Sequence, residues 1–123
     1  MAEAKGIYTS NLTIIELVSN LKRLNEIDCR INTSTFAAIR NQLFNDIDVG
    51  MIKIEPITSP IIIKAVELIQ EKYITPIDSL HLATAVTLNE KRKTLIFVSA
   101  DRKLSILAKR NGLEVIQLEN SPL

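Results

Sequence analysis

The chain has 123 residues, 46% apolar and 24% charged, with a formal net charge of +1. That fits one ordinary soluble domain with its own core and excludes a strongly basic nucleic-acid coat; the single Cys29 excludes an internal disulfide. The N-terminal MAEAKGIYTS lacks an apolar signal core and no run approaches a membrane span, so a cytoplasmic protein without membrane contact is expected.

Aromatics make up 4% of the chain and Trp is absent, so the core is expected to be aliphatic. Ile7-Tyr8-Thr9 reads as a short strand, with Ser10 as N-cap of a helix over 12–24. The helix buries Ile14, Leu17, Val18, Leu21 and Leu24, which recur at helical spacing. A second helix is expected from about Ser34 to Asp48, with Phe36, Ile39, Leu43 and Ile47 as its stripe and Gly50 as its stop. Met51 to Glu55 alternates apolar and charged residues, as a half-exposed edge strand does.

Ser59-Pro60 reads as an N-cap followed by Pro at the first helical position, and Ile62, Val66 and Ile69 as the buried stripe of that helix. Thr75-Pro76 repeats the start signal for a helix running to about Lys91. TLIFV (94–98) is a continuous apolar run and predicts a central parallel strand buried on both faces. Asp101 opens the next helix, which ends at Asn111-Gly112, and Val115 to Leu118 is the last strand. The alternation argues for an α/β domain over 1–123 with a mostly parallel sheet covered on both faces.

In open parallel sheets, ligands bind beyond the carboxyl ends of the strands. Asp101 follows TLIFV there, Asp78 sits in the first turn of its helix, and Glu16 in the second turn of the first helix. Each also has a structural reading. Asp101 can cap its helix, Asp78 can form a capping-box pair with Thr75 and complement the helix dipole, and Glu16 can be a surface residue. Glu16, however, has Asn20 rather than a cation at i+4. Three converging carboxylates repel one another, and a hard cation such as Mg²⁺ or Mn²⁺ relieves that repulsion. Such an ion activates water and stabilises phosphoryl oxygens.

Three strings narrow this reading. TSNLTIIELVSNLKRL (9–24), TPIDSLHLATAV (75–86) and VSADRKLSILAKRNGLEVI (98–116) resemble segments of the PIN domain family, over about Gly6 to Glu119. The resemblance implies a three-layer α/β/α fold and a catalytic metal set of Glu16, Asp78 and Asp101, with Ser99 as the small hydroxyl companion of Asp101. It also implies a metal-dependent endoribonuclease that hydrolyses RNA with a metal-activated water, often the toxin of a toxin–antitoxin pair. The match departs at the N-terminus. The family's opening strand and its Asp have no counterpart here, and Glu3 lies too near Glu16 to stand in. In the family order 3-2-1-4-5 that strand is central. An N-terminally truncated version with four strands is therefore expected, its gap closed directly or filled by a second subunit in a homodimer.

Other residues carry weaker signals. Arg102 and Lys103 read as RNA phosphate contacts or as a solvated helix face. Lys91-Arg92-Lys93 belongs at the opposite end of the sheet. His81 reads as a satisfied helix position, and as the only His it excludes a histidine zinc site. Ser99 reads as an orienting hydroxyl or as a small strand-end residue, and Cys29 as a small, partly buried one. Two alternatives stand beside the nuclease. One is a catalytically inactive PIN-like remnant serving dimerisation or binding; the other is an α/β regulatory domain whose acids are only caps.

Overall fold

The computed structural model describes residues 7–91 and 95–118. In chain order the elements are β1 (Ile7–Ser10), α1 (Asn11–Glu26), α2 (Thr33–Asp48), β2 (Ile52–Glu55), α3 (Ser59–Glu71), α4 (Pro76–Lys91), β3 (Ile96–Ser99), α5 (Arg102–Arg110) and β4 (Glu114–Gln117). The fold is α/β with short parallel strands, consistent with a PIN-like architecture. β1 pairs with β2 from Ile7↔Ile52 to Ser10↔Glu55. β3 pairs with β4 from Ile96↔Glu114 to Ser99↔Gln117. Each pair is its own two-stranded sheet among the described residues. Glu3, Arg92 and Lys93 lie outside the described residues, as does Thr94 at the start of TLIFV.

The chain divides into two compact units, up to Pro56 and from Ile57. In the first, α1 and α2 form the crossover that parallel pairing of β1 and β2 requires. Both helices are capped by side chains: the Ser10 hydroxyl accepts from Thr13 N–H at 3.3 Å and Asn32 Oδ1 from Thr35 N–H at 2.7 Å. α2 ends as Gly50 predicts. Gly50 adopts φ +82°, its N–H reaches Ile47 O, and Met51 N–H reaches Asp46 O, which completes a Schellman motif. Leu21, Phe36 and Leu43 are buried, but Leu17 and Ile39 of the expected stripes are exposed. The stripes contact their partners through fewer positions than their periodicity offers, because two helices and two four-residue strands cannot cover every apolar face.

Cys29 is exposed rather than partly buried. It lies just past α1 at φ 51°, where the chain turns in the left-handed region and carries its side chain outward.

In the second unit α4 is the centre. Ser79, Leu82, Ala83, Thr84, Ala85, Val86 and Leu88 are all buried, so this helix is enclosed nearly all round. Ile61, Ala65 and Leu68 of α3, Leu104 and Ala108 of α5, and Leu113 complete the core with it. Small residues at 83, 85 and 65 let the helices approach closely. The buried hydroxyls of Ser79 and Thr84 donate to Pro76 O and Leu80 O at 2.6 and 2.7 Å. They therefore cost little in the core.

Two expectations for this unit are corrected. The buried stripe of α3 is Ile61, Ala65 and Leu68, one residue before Ile62, Val66 and Ile69; Ile62 and Val66 are each 49% exposed. Both sets satisfy helical spacing on a helix apolar nearly all round, and the face that meets α4 is the one buried. The N-cap of α3 is Thr58, with Ser59 already helical. Likewise β3 is not buried on both faces. Phe97 packs against the core with its neighbour Val115, while Ile96 and Val98 (55% exposed) project from the other face. A continuous apolar run reports hydrophobicity, and whether a second layer covers it is decided elsewhere in the fold.

α5 carries the same kind of stop as α2. Gly112 takes φ +83°, its N–H reaches Lys109 O, and Leu113 N–H reaches Ala108 O. Among the described residues no helix is long and apolar enough to cross a membrane.

Candidate functional site

Asp78 and Asp101 both belong to the second unit, and the sequence around each places it at a helix start. Thr75 and Pro76 open α4: the Thr75 hydroxyl accepts from Asp78 N–H at 3.3 Å and Thr75 O from Ser79 N–H at 2.9 Å. The cap is therefore made by Thr75. The reciprocal half of a capping box, from the Asp78 carboxylate back to Thr75 N–H, is not formed. Asp78 is half-buried, and among the described residues its carboxylate accepts no hydrogen bond and joins no ion pair. Its structural contribution reduces to a negative charge in a first helical turn.

Asp101 differs. It is the N-cap of α5 with extended backbone, and its Oδ1 accepts from Leu104 N–H at 3.1 Å. Its own N–H donates to the Ser99 hydroxyl at 3.0 Å. Ser99 thus orients the backbone of Asp101 rather than its carboxylate. The structural reading and the functional one coexist here, because capping takes one carboxylate oxygen and leaves Oδ2 open.

These geometries separate under mutation. Asp101→Ala is expected to cost about 1 kcal/mol of stability through the lost cap, and Asp101→Asn only a few tenths, since Asn caps as well as Asp does. Urea unfolding of the two variants checks this. Equal losses for both would show that charge rather than capping holds the turn.

Glu16 lies in α1 of the first unit and is half-buried. Among the described residues no three His, Cys, Asp or Glu side chains form a group able to hold a metal ion. In donor chemistry the open oxygens of Asp78 and Asp101 suit a hard divalent cation, but in number they do not complete a site. Arg102 and Lys103 occupy the first turn of α5, exposed. His81 lies on α4 one turn beyond Asp78 and is half-buried.

Sequence reasoning overlooked Ser105. It is buried, and both its hydroxyl and its N–H reach Asp101 O, at 2.8 and 3.0 Å. The available signal was a serine four residues after an N-cap acid, a spacing that lets a helical hydroxyl bond back to the preceding turn.

A family model described as PIN domain matches residues 1–110. The chain belongs to the PIN domain family. No curated protein and no solved structure matches it. The match takes in both Asp78 and Asp101 as well as Glu16. PIN domains are of nuclease type and generally depend on a divalent metal, and the family points to RNA as the bound polymer.

Proposed function

We propose that this chain is a metal-dependent endoribonuclease of PIN type, with residues 1–123 acting as one PIN-like domain in the cytoplasm. The observation that carries the reading is Asp78. It stands at the start of the most enclosed helix of its unit, within the matched segment, with a carboxylate that no hydrogen bond or ion pair engages among the described residues. The Thr75 hydroxyl makes the cap, so the acid at Asp78 serves its helix only through the dipole, a modest contribution.

Asp78, the open oxygen of Asp101, and Glu16 are the residues we assign to Mg²⁺ or Mn²⁺. Such an ion supplies Lewis-acid activation of water for phosphodiester hydrolysis. Arg102 and Lys103 are assigned to RNA phosphates. Cations in a first helical turn oppose the helix dipole, so their position is better accounted for by an anion outside the helix than by the helix itself. A toxin role, with a cognate antitoxin and a second copy of the chain as partners, extends the same reading; the exposed apolar residues Ile96, Val98 and Ile116 offer surface for partners.

The test is cleavage of a single-stranded RNA by the purified chain with Mg²⁺ or Mn²⁺, and its loss on chelation. Well-folded protein that neither binds metal nor cuts RNA sinks the proposal.

A second reading draws on the lack of any three-residue metal group among the described residues. In it the chain is a catalytically inactive PIN-like remnant that serves dimerisation or binding. That reading requires metal affinity weaker than about millimolar, as a reduced count of charged ligands entails.

A further inference from the structure

Two cations share one aromatic ring in the first unit. The Lys22 ammonium of α1 lies 5.2 Å from the centroid of the Phe36 ring, and the Arg40 guanidinium of α2 lies 5.7 Å from the same centroid. Phe36 is buried, while Lys22 is exposed and Arg40 half-buried. Neither cation joins an ion pair among the described residues. Their hydrogen bonds are long, Lys22 Nζ to Asn25 Oδ1 at 3.5 Å and Arg40 Nη2 to Asn41 Oδ1 at 3.4 Å. Helical side chains lean toward the N-terminus, so Arg40 reaches back over Phe36, and Phe44 follows one turn later on the same face of α2. Phe44 is 51% exposed.

We propose that Lys22, Arg40 and Phe44 form a docking strip for single-stranded RNA, the two cations meeting backbone phosphates and the Phe44 ring stacking on a base. The choice of RNA among polyanions rests on the nuclease reading of the chain. The ordinary account of a cation over a ring is that its stem covers apolar surface while its charge stays in water. One stem suffices for that. A second like charge on the same ring adds repulsion that no carboxylate offsets. Arg40 has Phe36, Ala37, Leu43 and Phe44 at the positions three and four residues away, so no acid faces it from its own helix. Lys22 has Glu26 four residues on, yet its ammonium is turned to Phe36 and Asn25. On α3, by contrast, Lys64 pairs with Glu67 at 3.6 Å.

Two uncompensated cations suit the oxygens of a phosphodiester, which take charge-assisted hydrogen bonds from Lys and Arg. The exposed ring supplies what a bare anion would not need. Arg40 and Phe44 are one turn apart, about 6 Å along the axis, a step that a phosphate and its own base can span. Cations set beside an aromatic platform are how proteins hold single strands without reading their sequence.

The test uses the full chain in EDTA, so that hydrolysis does not intervene, and follows the fluorescence anisotropy of a labelled single-stranded oligouridylate over a salt series. Lys22→Met/Arg40→Met keeps an unbranched stem over Phe36 and removes both charges, so the helix pair is retained, which urea unfolding checks. The salt slope of log Kd is expected to fall by about 1.4, two phosphate contacts at roughly 0.7 each. Phe44→Ala is expected to raise Kd about tenfold with the slope unchanged, since stacking releases no counterions. Lys64→Gln, which removes a cation already paired with Glu67, is expected to leave both quantities at their wild-type values.

An unchanged slope in Lys22→Met/Arg40→Met, or an unchanged Kd in Phe44→Ala, overturns the inference. So does wild-type protein that binds no oligouridylate, or that releases it to polyglutamate as readily as to unlabelled RNA, which would mark the strip as one for an acidic protein. If the double variant unfolds, Lys22→Gln and Arg40→Gln taken singly are each expected to lower the slope by about 0.7, and no change in either overturns the inference. Binding with these effects but no cleavage on adding Mn²⁺ defeats the nuclease reading and upholds the strip. Cleavage with a wild-type slope in the double variant defeats the strip alone.

Discussion

Asp78→Asn is expected to reduce metal-dependent RNA cleavage on the order of 100-fold or more while leaving the fold intact, because it removes a carboxylate we assign to the metal and little that is structural. Asn is nearly isosteric with Asp, and the α4 cap is made by the Thr75 hydroxyl, which the substitution does not touch. The remaining structural loss is a negative charge in the first turn of α4, worth about 0.3–1 kcal/mol. Cleavage assays at saturating Mn²⁺, set beside urea unfolding of the same preparation, separate the two effects. A variant that stays active shows that Asp78 serves only the helix dipole. A variant that is inactive because it has unfolded shows that the carboxylate has a structural partner after all.

The opposite pattern is expected one turn further along the same helix. Leu82 is 0% exposed and is the largest fully buried side chain of the described residues. It lies in the cluster formed with Ile61, Ala65 and Leu68 of α3 and Leu104 and Ala108 of α5. Leu82→Ala removes most of that side chain from a core whose neighbours belong to three helices and cannot all move in to fill the space. The expected cost is about 3–5 kcal/mol, transfer and cavity terms together. For a domain with total stability of roughly 5–15 kcal/mol this is a large fraction. The midpoint of urea unfolding should fall sharply with little change in slope. Below its melting point, the protein that remains folded should cleave RNA at a rate close to wild type. A loss smaller than about 1 kcal/mol would mean that the three helices close over the gap, which contradicts the close packing of the core.

The pair of variants also shows what could be read from the chain directly. Ser10 as N-cap, Gly50 and Gly112 as helix stops, and Thr75-Pro76 as the start of α4 are short-range signals, and each stands where local chemistry put it. The same holds for the alternation of strands and helices and for the parallel sense that it implies. Family membership was legible in three strings of the sequence, and the match over 1–110 agrees with it.

The candidate site was legible only in part. That Asp78 and Asp101 both begin helices followed from sequence. That one carboxylate is open and the other half-committed to Leu104 N–H did not, because the choice between capping by the acid itself and capping by an upstream Thr is settled by backbone placement within about an ångström. Ser105 was passed over because a serine inside an apolar stripe gives no sign of where its hydroxyl points until the preceding turn is built.

Burial divides along the same line. The sequence by itself determined which residues are apolar, at what period they recur, where α1, α4 and α5 begin, where α2 and α5 stop, and where the acids fall relative to those helix starts. These depend on neighbours within one or two turns of chain. Only the tertiary structure decided that α3 buries Ile61, Ala65 and Leu68 and leaves Ile62 and Val66 outside, that Val98 faces away from the core while Phe97 packs into it, and that α4 is enclosed on nearly every side. The hydrophobic effect is non-directional and rewards any apolar face that loses water. Which face does so is chosen by the elements that pack against it, and those come from distant parts of the chain.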